Sequence, residues 1–244
     1  MRNLRLDMCY EGTRYRGWQR LSNTDNTIQA KLEQTLSRIL DEPITVSASG
    51  RTDAGTHARM QVVSFHCEST MACDEILSQL RRYLPEDIGI YSCKNVSERF
   101  HARLNAKTKT YVYRVWNSEQ PCVFDRKFVY VDTRRVDINA MQQGADCFLG
   151  QHDFAAFCAN RNMKKSTVRY IESFSVECNE PEIVFTVTGN GFLHHMVRIM
   201  VGTLLEVGRG ERTVESIPSL FSARRADAGE LVPACGLCLT EVTY

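Results

Sequence analysis

The sequence predicts an α+β protein built from two tandem β-α-β-β-α-β units, each a split βαβ arrangement. Their mixed, mainly antiparallel sheets would flank a central active-site cleft. Three observations carry this expectation. A chain of 244 residues with 43% hydrophobic residues is long enough for two cores. Segments of period two and of period 3.6 follow one another in the same order twice. The most distinctive short motifs fall in the connections between those segments, where binding and catalytic groups concentrate.

In the first half, "LRLDMCY" alternates so that Leu4, Leu6, Met8 and Tyr10 share a face, which reads as a strand over 3–10. A helix follows, with Asn26 and Gln29 fitting a capping pattern and Ile28, Leu32, Leu36, Ile39 and Leu40 recurring until "DEP" stops it. "ITVSAS" and "MQVVSFHC" read as strands on either side of a loop, "GRTDAGTHA" at 50–58. A second helix over 74–84 and a strand "IGIYSCKNV" close this half. The second half repeats the order: strand "KTKTYVYRVWN", helix 137–149 capped by Asp137, strands 168–178 and 182–189, helix 192–207 and strand 237–242. The boundary falls between a domain 1–105 and a domain 106–244. The halves share pattern, not sequence, and the same RRM-like topology underlies many RNA-binding sheets. Connections 11–26, 117–136 and 150–167 exceed simple turns and are candidates for function.

No apolar run is long enough to span a bilayer and the N-terminus has no signal-peptide apolar core, so a cytoplasmic location is expected. The ten cysteines are scattered and fit reduced thiols; Cys235 and Cys238 form a C-x-x-C without a second pair at zinc-finger spacing. Net charge is only +1, but it is unevenly distributed. "RFHARLNAKTKTYVYR" at 99–114 and "ANRNMKKSTVRY" at 159–170 hold Lys and Arg without a single acid. Such stretches suit phosphate contacts and base stacking, the alternative being solvated charge balanced elsewhere.

Arg198 is the only charged residue between Phe192 and Leu205 in an otherwise apolar helix. A buried guanidinium needs a partner, and Asp53 from the first half could supply it, which would hold the carboxylate ionised. Arg198 could equally reach the surface or a loop carbonyl. His194 and His195, with Asp53, His57 or His101, invite a metal reading. Metalloenzyme spacings such as H-E-x-x-H are absent, and a cation at Arg198 would repel an ion.

"YEGTRYRGWQ" at 10–19, "GRTDAGTHA" at 50–58, "YVYRVWN" at 111–117, "FLHHMVR" at 192–198 followed by "VGTLLEVGRG", and "PACGLCL" at 233–239 together resemble the tRNA pseudouridine synthase A (TruA) family. The resemblance runs through the whole chain. It implies an isomerase that converts uridine to pseudouridine in the anticodon stem-loop of tRNA, typically at tRNA positions 38, 39 and 40, without cofactor or metal. It places Asp53 on the catalytic aspartate, Tyr111 on an active-site tyrosine that stacks on uracil, and Arg198 on the arginine paired with the aspartate. Arg51 becomes a substrate-binding candidate, for phosphate or for the gap left by a flipped base, with a salt bridge within the protein as the alternative. A homodimer whose subunits share the tRNA surface is also implied. Thr56, where a small apolar residue is usual, and Glu11, where aspartate is common, depart from the pattern. Gly17 and Trp18 are expected to shape the first loop and are given no chemistry.

Overall fold

A computed structural model describes residues 1–160 and 165–244. The chain forms two compact α+β units, one comprising Met1–Lys107 with Leu239–Tyr244 and the other Thr108–Cys238. Part of the basic stretch 159–170, Arg161 to Lys164, lies outside the described residues.

In the first unit the strands are β1 (Arg2–Tyr10), β2 (Ser47–Ala48), β3 (His57–Cys67) and β4 (Ile88–Val96). β1 is central, antiparallel to β3 on one side and to β4 on the other. Leu4, Leu6 and Met8 are fully buried, as their alternation predicts. Helix α1 (Ile28–Leu40) turns Ile28, Leu32, Leu36 and Leu40 inward and packs beside α2 (Cys73–Tyr83), which lies along β4. The capping residue of α1 is Thr27, whose hydroxyl accepts from the Ala30 amide at 3.3 Å. Asn26, expected in that role, instead donates its amide to the Arg14 carbonyl, and Gln29 turns to Glu33 and the Arg20 amide. One residue decides which side chain can reach the first turn's free amides. Of "ITVSAS", only Ser47 and Ala48 pair as strand, whereas β3 begins earlier than expected and includes His57.

In the second unit, β5 (Lys109–Trp116) pairs antiparallel with β9 (Glu182–Gly189), β9 with β8 (Val168–Asn179), and β8 with the short β7 (Gly150–Asp153). A two-residue strand β6 (Tyr130–Val131) runs parallel to the end of β5. Ile183, Phe185 and Val187 of β9 alternate into the core with Tyr113 and Val115 of β5. Helix α3 (Ile138–Asp146) is capped by Asp137, as predicted, and packs on β8 and on α4 (Met196–Gly208). Helix α4 is buried nearly all round, which its composition foretold.

Two expectations need correction. The last residues, 239–244, do not group with the rest of 106–244. The last strand, β10 (Leu237–Val242), hydrogen-bonds to β3, and Leu239–Tyr244 belong to the first unit. Tyr244 donates its hydroxyl to the Ala102 carbonyl at 2.7 Å, stacks near Phe100 and holds the Arg5 guanidinium over its ring at 4.8 Å. Helix α4 also starts four residues later than the apolar run suggested, because His195 adopts a left-handed backbone (φ 65°) that no helix continues through.

Candidate active site

The loop 50–58 enters β3 and is gripped from outside by residues 10–19. The Trp18 amide donates to the Thr52 carbonyl at 3.0 Å, and the Gly55 amide to the Tyr15 carbonyl at 3.4 Å. The Gly12 amide donates to Nδ1 of His57 at 3.0 Å, which fixes that nitrogen as an unprotonated acceptor in this bond. Within the loop the Thr56 amide returns to the Asp53 carbonyl at 3.1 Å, closing a turn around Asp53 and Gly55. Two glycines make this grip possible. A Cβ on Gly12 would lie 2.0 Å from the Thr56 carbonyl oxygen. Gly17 combines φ +90° with contacts of 2.9 to 3.1 Å from a hypothetical Cβ to the Thr52 oxygen, the Asp53 carbonyl carbon and the Ala54 nitrogen. Only hydrogen fits where two backbones meet this closely.

Thr52 is buried, Asp53 half-buried, and Arg51 and Ala54 exposed. Asp53 thus sits at the rim of a loop whose main chain is fixed on both sides. Arg51 and Asp53 share this loop in the first unit. Tyr111 and Arg198 belong to the second.

Tyr111 lies on β5 opposite Val187 of β9, and only 7% of it is exposed. Its ring meets Phe192 edge to face, centroids 5.1 Å apart. The first residue of "FLHHMVR" therefore supports the tyrosine. Arg198, in the first turn of α4, is half-buried, and its Nε donates to the Val232 carbonyl at 2.8 Å. That carbonyl belongs to a segment lying against α4, where the Gly229 amide also donates to the Thr203 hydroxyl at 3.0 Å. Here the second of the two sequence alternatives, a loop carbonyl, accounts for one guanidinium donor. The same segment leads into "PACGLCL". Its Pro233 carbonyl accepts from the Tyr113 hydroxyl at 2.7 Å, and burial holds that phenol well above its ordinary pKa. Cys235 donates its thiol to the Val129 carbonyl, and its pKa is likewise raised by burial, so it packs as a neutral side chain. All ten cysteines are free thiols.

The rings of His194 and His195 lie 3.7 Å apart, and the His194 carbonyl accepts from the Ala159 amide at 3.0 Å. Both residues precede the helix, so they do not present helical i, i+4 spacing to Arg198.

Sequence reasoning gave Gly17 and Trp18 a part in shaping the first loop only, and passed over Tyr10, Gly12 and Gln61. Each supports the loop 50–58 through the backbone or through a buried side chain. The one available signal was that "YEGTRYRGWQ" holds two glycines and three aromatics in a connection too long for a turn.

This chain carries the sequence features of a pseudouridine-forming enzyme. A family model described as tRNA pseudouridine synthase matches residues 8–105 and 145–244. Curated relatives match along their full length. The chain is similar to a tRNA pseudouridine synthase A 1 of Clostridium tetani, 44% identical over 245 residues covering 100% of both chains. It is 40% identical to a tRNA pseudouridine synthase A 2 of Bacillus cereus and to a tRNA pseudouridine synthase A of a Bacillus species, again over 100% of each. A crystal structure of a Cbf5-Nop10-Gar1 complex aligns with 97% of this chain and 48% of that one. Its TM-score of 0.39 and 14% identity are too remote to carry detail. The chain belongs to the tRNA pseudouridine synthase A family and is an isomerase of that family.

Proposed function

We propose that this protein converts uridine to pseudouridine in the anticodon stem-loop of tRNA, at tRNA positions 38, 39 and 40, with Asp53 as the essential carboxylate and no cofactor. The observation that carries the reading is the loop 50–58, in which the main chain on both sides of Asp53 is fixed by the segment 10–19 while the residue itself stays half-buried. Catalysis by a carboxylate demands such a fixed origin, because geometry held in advance lowers the barrier for the reacting pair.

The reaction breaks the bond between uracil N1 and ribose C1′ and forms one from C5 to C1′. The proton on C5 is lost and N1 gains one, so product and substrate are isomers and no electrons are exchanged. Asp53 acts as an anion in either available route, attack on C1′ or promotion of a glycal. Tyr111 offers a ring for the uracil to stack on and a phenol that lies near C5 when its proton is lost. Arg198 and Arg51 are the substrate-binding cations of the reading. A target base paired or stacked in a stem-loop is flipped out at a cost of a few kcal/mol, which basic loops and aromatic faces offset. Among the described residues no helix is long and apolar enough to cross a membrane, which accords with a cytoplasmic place of work on tRNA. A homodimer presenting one tRNA surface completes the proposal.

The test is pseudouridine mapping by carbodiimide-dependent primer stops in tRNA from cells with and without this protein, complemented by Asp53→Asn. The expected outcome is loss of stops at positions 38 to 40 in both, with purified Asp53→Asn still binding tRNA at the wild-type Kd. Unchanged stops in cells carrying only Asp53→Asn would overturn the role of Asp53.

A further inference from the structure

Behind the loop 50–58 lies a chain of buried polar side chains that a purely structural sheet core would not require. Tyr10, the last residue of β1, is 4% exposed, and its hydroxyl lies 2.7 Å from Oγ1 of Thr52, the residue immediately before Asp53. Gln61, fully buried on β3, donates Nε2 to the Gly50 carbonyl at 3.0 Å and to the Tyr10 hydroxyl at 3.4 Å. Its Oε1 accepts from the buried Ser49 hydroxyl at 2.6 Å. An amide nitrogen can only donate, so the Tyr10 oxygen accepts from Gln61 and keeps its own proton available to Thr52.

The backbone is bent to assemble this chain. Met8 pairs with Gln61 but Tyr10 with Ala58, so β3 spends three residues where β1 spends two. A bulge of this kind re-aims side chains, and here it occurs at the end of β1 where Tyr10 turns toward the loop. The Tyr10 ring is held in turn by Trp18, centroids 6.0 Å apart. The loop thus has two restraints: a backbone grip from residues 10–19 and a side-chain anchor at Thr52.

We infer that Tyr10 and Thr52 form a hydroxyl latch that positions Asp53 for catalysis, with Gln61 orienting the Tyr10 hydroxyl. This rests on Asp53 being the essential carboxylate. Neither latch residue touches substrate. Both act through the backbone between Thr52 and Asp53, where one peptide bond separates the anchor from the residue that carries the reacting carboxylate.

The experiment compares wild type, Tyr10→Phe, Thr52→Val, Thr52→Ser, the double variant Tyr10→Phe/Thr52→Val, and Asp53→Asn. Single-turnover rate on an anticodon stem-loop RNA, Kd for that RNA, and Tm are measured for each. Tyr10→Phe and Thr52→Val keep side-chain volume and both lose the Tyr10–Thr52 bond, Tyr10→Phe losing the long Gln61 contact as well, so both should fold. A displacement of 1 Å can cost about a hundredfold in rate, and loss of one of two restraints should cost roughly tenfold. The Kd should be unchanged, Thr52→Ser should recover most of the rate lost in Thr52→Val, and the double variant should be no slower than Tyr10→Phe alone, because the Tyr10–Thr52 bond is already lost there. A wild-type rate in Tyr10→Phe and Thr52→Val, even with lowered Tm, would overturn the latch while Asp53→Asn stays inactive. So would an additive loss in the double variant. An active Asp53→Asn would instead bring down the reading on which the latch rests.

Discussion

Replacing Gly17 by alanine tests the grip on the Asp53 loop through a single methyl group. The perturbation has two parts that can be separated. A left-handed backbone costs an L-residue about 1–2 kcal/mol. Gly17 has φ +90°, so this part applies in full. The new Cβ would also stand 2.9 Å from the Thr52 oxygen and 3.1 Å from the Asp53 carbonyl carbon and the Ala54 nitrogen. Backbone atoms cannot swing aside as a side chain's end can, so the loop must shift by several tenths of an ångström, an overpacking of about 1–3 kcal/mol. The total is roughly 2–5 kcal/mol, a fall in Tm of about 4–20 °C for a chain of this length. Gly210 supplies the control, since it has φ +71° and nothing within 4 Å of its Cβ position. Gly210→Ala should show the conformational cost alone, about 1–2 kcal/mol. Because the shift falls on the residues flanking Asp53, Gly17→Ala should also lower the catalytic rate by roughly tenfold or more. Release of tritium from C5-labelled uridine in tRNA reports that rate, and filter binding reports affinity separately. Equal Tm values for the two variants, together with an unchanged rate for Gly17→Ala, would refute the reasoning.

Two further outcomes test the fold. Thr27→Ala should destabilise the protein by about 1 kcal/mol in urea unfolding, the usual worth of a helix cap. Asn26→Ala should leave the α1 cap intact, since Asn26 bonds to Arg14 and not to the helix. Asp132 is buried, which alone would raise its pKa, but hydrogen bonds from Arg134 and the charge of Arg209 outweigh burial and hold it below the usual carboxylate range. The stability it contributes is therefore complete above the unfolded-state value near pH 4 and is lost as pH falls through the lowered folded value. Asp132→Asn should lose about 1–3 kcal/mol at pH 7 and show a shallower decline in unfolding free energy below pH 4 than wild type.

Elements whose burial follows a simple period were legible in the chain. β1, β9 and α4 have alternating or all-round apolar patterns because a single face, or every face, is covered. The start of α4 was not legible, since a left-handed His195 has no compositional mark. Short strands such as β6 and β7 were missed because two to four residues carry no usable period. Of the candidate site, Asp53 stood out as an acid set among small residues in a loop and Arg198 as a lone charge in an apolar helix, and the resemblance supplied Tyr111 and Arg51. The support around Asp53 was invisible, because Tyr10, Gly17 and Gln61 lie 43, 36 and 8 positions away in sequence and their roles depend on contact.

By itself the sequence determined an α+β chain, the inward faces of its strands and helices, and the family through motifs spread along its length. Those properties are local or additive, so each is written in a short run of residues. Tertiary structure alone decided that the C-terminal strand returns to cover β3, that Thr27 and not Asn26 caps α1, and that the Asp53 loop is held by two glycines and a buried hydroxyl chain. Those outcomes depend on which distant segments come within hydrogen-bonding or van der Waals reach, and reach between segments is a property of the folded backbone.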